Sequence, residues 1–333
     1  MELTEHIPLA PFTTFGIGGP ARYFARAKDI SQLQEALAFA KERNLKVFFL
    51  GGGSNLLVSD EGFDGLIIKI ELAGVEQEGD TIIAAAGEGW DALVLRATQA
   101  ELWGVENLSG IPGTVGGAVV QNIGAYGASL SQTLAWTEVF DTTTNTLKRL
   151  SNNDCRFGYR DSVFKKESGR YVVLRAALAL ERDSAPNISY KDLAARFDGS
   201  SASLPQIRAA VLEIRKNKFP DLAVEGTAGS YFKNPLMPRA EALKLQEKYP
   251  DMPVFDLPES SNIKIPLAWL LDRVLNLRGY RVGSARLFEK QPLVIVADNN
   301  SRASDVKRLA SDVREKIRAE FGVIVEPEVC ALG

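Results

Sequence analysis

The sequence predicts a protein of mixed helices and strands folded as two or three packed units, and three observations carry that expectation. At 333 residues the chain is too long for one small core. Residues 29–70 read as an amphipathic helix, a short apolar strand, a Gly-rich turn and a second strand, which is a βαβ-like start. Helix and strand patterns then continue to the C-terminus with no internal repeat and no low-complexity run.

In order, the helix at 29–44 is expected from Leu33, Ala36, Leu37 and Ala40 on one face. Ser31 with Gln34 supplies a candidate capping box, and Asn44 a stop. Strands are expected at 46–50 and 66–70, then at 80–86, with a helix at 90–101. Residues 104–127 hold too many glycines for a regular helix or strand, yet are too apolar for a disordered linker. Strands follow at 133–140 and 171–180. Ile207, Val211 and Ile214 mark the next helix, and shorter helices are expected at 239–248 and 266–276. The last helix, at 304–321, buries Val306, Leu309, Val313 and Ile317 and stops at Gly322, with a strand running through Glu328.

Composition limits the chemistry. The net charge is −3 with no run of Lys or Arg, which argues against nucleic-acid or anionic-membrane partners. No apolar stretch is long enough to span a bilayer, and the first residues show no leader pattern, so a cytoplasmic protein is expected. Cys155 and Cys330 could form one bridge at most, and reduced thiols are the simpler expectation. His6, the only histidine, lies in what reads as a flexible start. Histidine triads and imidazole-rich metal sites are thereby disfavoured, and no metal is expected.

Two Gly-rich loops stand out. Gly51, Gly52, Gly53, Ser54 and Asn55 follow the first buried strand, where backbone amides could approach a phosphate. The loop lacks both the Walker ending and the GxGxxG spacing, and alone it reads first as a tight turn. The 104–127 segment offers Ser109, Thr114, Gln121 and Asn122 for hydrogen bonds, and an irregular stretch of that length is usually functional. Together the loops point to a large cofactor with a phosphate and a planar part; which cofactor does not follow from them. Elsewhere, Tyr159, Arg160 and Asp161 share a loop in which Arg160 is either a turn ion pair with Asp161 or a planar clamp for a carboxylate. Ser230 and Lys233 sit in a Gly-flanked stretch. Glu326 and Glu328, two apart in an expected strand, would share a face, although Pro327 between them favours only one entering a site.

These pieces together resemble the UDP-N-acetylenolpyruvoylglucosamine reductases, FAD enzymes of peptidoglycan precursor synthesis. The matching stretches are TTFGIGGPA at 13–21, FLGGGSNLLV at 49–58, LSGIPGTVGGAVVQNIGAYG at 108–127, CRFGYRDSVFK at 155–165, GSYFKNP at 229–235 and EPEV at 326–329. They cover essentially the whole chain in family order. The resemblance implies an α+β fold, with a two-lobed FAD-binding module of the vanillyl-alcohol-oxidase-like type and a C-terminal α+β substrate-binding domain. One lobe would take residues 1–70 with 322–333, the other 71–218, and the substrate domain 219–321.

By the same resemblance Gly52, Gly53, Ser54 and Asn55 hold the FAD pyrophosphate, with Gly51 and Leu56 also at the cofactor. Ser109, Gly110, Ile111, Pro112, Thr114, Gly116, Gly117, Asn122, Ile123, Gly124, Ala125, Tyr126 and Gly127 line the flavin. Ser230 is the expected proton donor, with Arg160 and Glu328 flanking the enolpyruvyl group. Tyr159, Tyr190, Lys218, Asn234, Lys264 and Gln291 fall where the family contacts its sugar nucleotide, Tyr190 as the covering tyrosine of the longer subclass. The implied partners are UDP-N-acetylglucosamine enolpyruvate and NADPH as reductant, acting on a monomer. Cys330 is a departure, standing where many members carry Arg after the EPEV run.

Overall fold

The computed structural model describes residues 1–197, 202–256, 261–298 and 301–333. The chain forms two compact units, each assembled from separate segments. The first holds residues 1–7, 21–53 and 64–216; the second holds 8–20, 54–63 and 217–333.

Among the described residues the first unit contains two larger sheets and the short strand pair Gly124–Ala125 with Ala128–Ser129. One orders the strands Leu3–Pro8, Pro20–Ala27, Phe63–Ile70 and Lys46–Leu50, the last two pairing in parallel. Helix α1 (Ile30–Glu42) connects Pro20–Ala27 to Lys46–Leu50 and buries Leu33, Ala36 and Ala40. Its cap differs from expectation: Asp29 accepts the Gln32 amide, while the Gln32 side chain takes the Lys28 amide. The acid one position before the first helical residue reaches the free amides better than Ser31, which already lies inside the helix. His6 also departs from expectation, lying in the strand Leu3–Pro8 with φ of 51°. That strand and Pro20–Ala27 carry no period-two signal in the sequence, because the first is mostly exposed and the second buries the adjacent Phe24 and Ala25.

The second sheet is antiparallel, ordered Thr146–Ser151, Leu134–Asp141, Tyr171–Ala179, Thr81–Ala85 and Val75–Glu78. Helix α2 (Trp90–Gln99) buries Trp90, Leu93, Val94 and Ala97 in the core of this unit, and the Trp90 indole donates to the Leu108 carbonyl at 3.0 Å. The Gly-rich segment contains helix α3 (Val115–Gln121), against the expectation of no regular element. Thr114 caps it, and Asn122 ends it in the left-handed region at φ 45°. Short α4 (Val163–Lys166), α5 (Lys191–Phe197) and the longer α6 (Leu204–Lys218) are the other α-helices among the described residues up to 218.

In the second unit, α7 (Arg239–Lys248) has the expected bounds. The helix expected at 266–276 is instead α8 (Leu267–Trp269) followed by a π-turn, Leu270–Val274. Helix α9 (Ala303–Phe321) drives Val306, Leu309, Val313 and Ile317 into a core shared with Phe15, Ile17 and Leu57. Arg302 gives α9 no side-chain cap; Asp60 does so from a distant segment, accepting the Ala303 and Ser304 amides at 2.7 and 3.1 Å. The strand expected through Glu328 begins later, at Cys330–Leu332, and pairs in parallel with Leu56–Val58. Among the described residues no helix is long and apolar enough to cross a membrane.

Candidate active site

The strand Lys46–Leu50 runs out at Gly51, and Gly53 turns the chain at φ +64°. The turn lies flush against the second Gly-rich segment. A Cβ on Gly52 would fall 2.5 Å from Gly113 Cα, and one on Gly51 would fall 2.8 Å from Thr114 Oγ1, so glycine is needed at both. Among the described residues, the amides of Gly52 and Gly53 donate no hydrogen bond within the protein. Lys69 Nζ donates to the Gly51 carbonyl at 2.8 Å, and burial lowers its ammonium below the ordinary lysine value. Two open amides beside an ammonium held at the neighbouring carbonyl make a donor set suited to a pyrophosphate. The sequence holds no signal for Lys69, because one lysine inside a strand carries no motif.

The segment from Ser109 to Gly127 is built around four positive-φ residues besides Gly110, namely Gly113, Asn122, Tyr126 and Gly127. Ser109 is buried, Ile111 packs against the core and Pro112 leads to Thr114. Gly116 lets α3 pack closely, since a Cβ there would meet Ala86 Cβ at 2.9 Å; Gly117 donates to Thr114 Oγ1. Beyond α3, Asn122 binds the Gly158 carbonyl at 2.9 Å and accepts the Ser131 amide at 3.0 Å. Ile123 and Ala125 pack on the core of the unit. Buried Asn107 donates to the carbonyls of Tyr126 and Asn187 at 2.7 and 2.8 Å, tying this segment to the stretch that carries Tyr190. Tyr190 meets Tyr126 edge to face, with ring centroids 5.1 Å apart.

Arg160 joins this group. It adopts φ 53°, donates to the Gly124 carbonyl and stands 5.5 Å from the Tyr159 ring. Lys165 Nζ holds the Arg160 carbonyl at 2.9 Å and Gln121 Oε1 at 3.1 Å. Asp161 pairs with Lys166 at 2.9 Å. A cavity of about 220 Å³ is lined by Asn122, Ser129, Ser131, Gly158, Tyr159 and Arg160 together with Phe157.

In the second unit, half-buried Ser230 follows Gly229, whose φ is +79°. The 230–233 stretch runs beside 326–328: the Glu328 amide donates to the Tyr231 carbonyl at 2.7 Å, and the Lys233 amide to the Glu326 carbonyl at 3.0 Å. Ser230 and Glu328 therefore lie on neighbouring segments, while Glu326 turns to Lys233 Nζ at 3.4 Å. This stretch is irregular, with a single bridge between Pro327 and Phe232, so the alternation expected of a strand does not apply. Asn55 binds the Glu328 carbonyl at 3.1 Å, which links Ser54, Asn55 and Leu56 to the same place. Asn234 Oδ1 accepts the Leu267 amide at 3.0 Å, Lys264 Nζ lies 5.5 Å from the Phe255 ring, Lys218 ends α6 and Gln291 opens the strand Gln291–Ala297. Among the described residues no group of His, Cys, Asp or Glu could hold a metal ion.

Residues 21–151 match the family described as FAD binding domain, and residues 221–332 the one described as UDP-N-acetylenolpyruvoylglucosamine reductase, C-terminal domain. A UDP-N-acetylenolpyruvoylglucosamine reductase of Neisseria gonorrhoeae is 40% identical over 96% of this chain and 94% of the relative. The chain belongs to the UDP-N-acetylenolpyruvoylglucosamine reductase family. A reductase of the same name from Pseudomonas aeruginosa is 38% identical over 98% of both chains. The crystal structure of the Thermus caldophilus reductase covers 100% of this chain at 26% identity and a TM-score of 0.71. As a member of this reductase family the protein is an FAD-dependent oxidoreductase with an α+β fold. The open Gly52 and Gly53 amides and the neighbouring Lys69 fit that cofactor.

Proposed function

We propose that the protein reduces UDP-N-acetylglucosamine enolpyruvate to UDP-N-acetylmuramate, with NADPH as reductant, using two FAD-binding lobes and the substrate domain at 219–321. Bound FAD supplies hydride transfer from NADPH to the terminal vinyl carbon. The remaining work belongs to the chain. Gly52 and Gly53 hold the pyrophosphate through their amides, and the segment 109–127 shapes the ring pocket. Arg160 takes the substrate carboxylate with its planar fork and stabilises the negative charge that develops beside it when the vinyl electron pair moves to the inner carbon. Ser230 donates its hydroxyl proton to that carbon, with Glu328 orienting Ser230 or a water. Tyr190 covers the nucleotide, Tyr159 lines the site, and Lys218, Asn234, Lys264 and Gln291 hold the diphosphate and uracil.

The observation that supports this reading most is the pairing of 230–233 with 326–328, which sets the serine and the carboxylate on adjacent segments. An anaerobic absorbance experiment tests it. NADPH should bleach the flavin bands, and the enolpyruvyl substrate should restore them rapidly; bleaching without return would reject the substrate. Ser230→Ala should still be bleached by NADPH while the return slows at least about a hundredfold, the low end for loss of a general acid. A near-normal return would remove Ser230 from the mechanism.

A further inference from the structure

Asp91 lies in the first turn of α2, and no role described above uses it. Its two carboxylate oxygens take the Arg208 fork at 2.7 and 2.8 Å, and Oδ1 also accepts the Gly110 amide at 2.6 Å. The other side of Gly110 is held as well, its carbonyl accepting Arg215 Nε at 3.0 Å. Gly110 is left-handed at φ +70°, and a Cβ there would fall 2.8 Å from Leu212 Cδ2 and 3.2 Å from Arg215 Cδ. One glycine is thus fixed at both its amide and its carbonyl by charged groups, immediately before Ile111, Pro112, Gly113 and Thr114.

An acid in the first turn of a helix has an ordinary use, since it offsets the helix dipole. That use needs neither a bidentate partner on α6 nor a loop amide 19 residues away. Arg208 is itself buried, at 8% exposure, where an ion pair is held by geometry and extra hydrogen bonds. The Arg208 bond and the Gly110 amide hold the Asp91 carboxyl below the usual range, keeping it an acceptor at neutral pH.

We propose that Asp91 is a positioning residue for the flavin: by fixing the Gly110 peptide against α6 it sets the path of residues 111–114 and so the affinity for FAD. This rests on the reading that 109–127 lines the flavin. Bonds to a charged acceptor are the stronger kind, so their loss should be measurable in cofactor binding.

The test is titration of FAD-stripped full-length protein with FAD, read by quenching of flavin fluorescence, alongside the melting temperature of the stripped protein. Asp91→Ala is expected to weaken FAD at least about thirtyfold. Asp91→Asn, which keeps one acceptor and the side-chain shape, should weaken it about fivefold. Melting temperatures that fall while FAD binds within twofold of wild type would reduce Asp91 to a structural ion pair and overturn the proposal. Should Asp91→Ala fail to fold, Asp91→Asn decides by the same twofold limit. Gly110→Ala separates the two layers. If it also leaves FAD affinity unchanged, the flavin-lining reading falls; if it weakens FAD while the Asp91 variants do not, only the role of Asp91 falls.

Discussion

At the scale of single residues, the two cysteines occupy opposite environments. Cys155 is fully buried, and burial, then the charge of Asp154, pushes its thiol up to about 12. Cys330 is exposed. A thiol-specific colorimetric reagent at pH 8 should therefore titrate one thiol per native chain rapidly and two after guanidinium denaturation. Rapid modification of two in the native protein would contradict the burial of Cys155. The same scale shows what the sequence could and could not disclose. Ser230, Arg160 and the Gly51–Gly53 turn stood in recognisable local patterns. Lys69, Asp91 and Asn107 did not, because each acts through partners far along the chain: 18 residues for Lys69 and Gly51, 117 for Asp91 and Arg208, 80 for Asn107 and Asn187.

Among elements, the hairpin joining Leu134–Asp141 to Thr146–Ser151 depends on a buried acid. Asp141 has no exposed side-chain surface and binds Lys148 at 2.7 Å, Arg170 at 3.3 Å, and the Thr143 amide and hydroxyl at 2.9 and 2.5 Å. Burial alone would raise its carboxyl, but these bonds outweigh it and hold the group far below the usual range. A depressed folded-state value stabilises above the unfolded carboxyl value, near pH 4, and the stabilisation fades as pH falls below it. Asp141→Asn should lower the unfolding free energy by about 1–3 kcal/mol at pH 7, with the gap from wild type closing below about pH 4. A gap independent of pH in urea titrations would count against the ionic account. Elements whose signal is local were legible: α7 keeps its expected bounds, and α9 followed helical spacing and a glycine stop at φ +68°. Helix α3 was not, since its capping threonine and left-handed Asn122, rather than composition, make the Val-Gly-Gly-Ala run helical. The cap on α9 was equally hidden, coming from Asp60, 243 residues earlier.

For the whole molecule, a cofactor that binds only the folded chain stabilises it by mass action. Stripping FAD and restoring it at a hundredfold excess over its dissociation constant should raise stability by about 2.7 kcal/mol, or roughly 5–10 °C in melting temperature for a unit of this size. An unchanged melting curve would mean that the native state does not hold FAD. The family was legible because its motifs occur in order along the whole chain. The interleaving of the two units was not, for residues 8–20 and 54–63 carry no boundary signal and their partners begin only at 217. That interleaving also matters for synthesis. The ribosome delivers Phe15, Ile17 and Leu57 within the first sixty residues, while the side chains that bury them, from Ala228 through Val329, emerge last. Until the final helix leaves the exit tunnel these three early residues lack their native cover, so the nascent chain carries sticky surface for nearly its entire elongation.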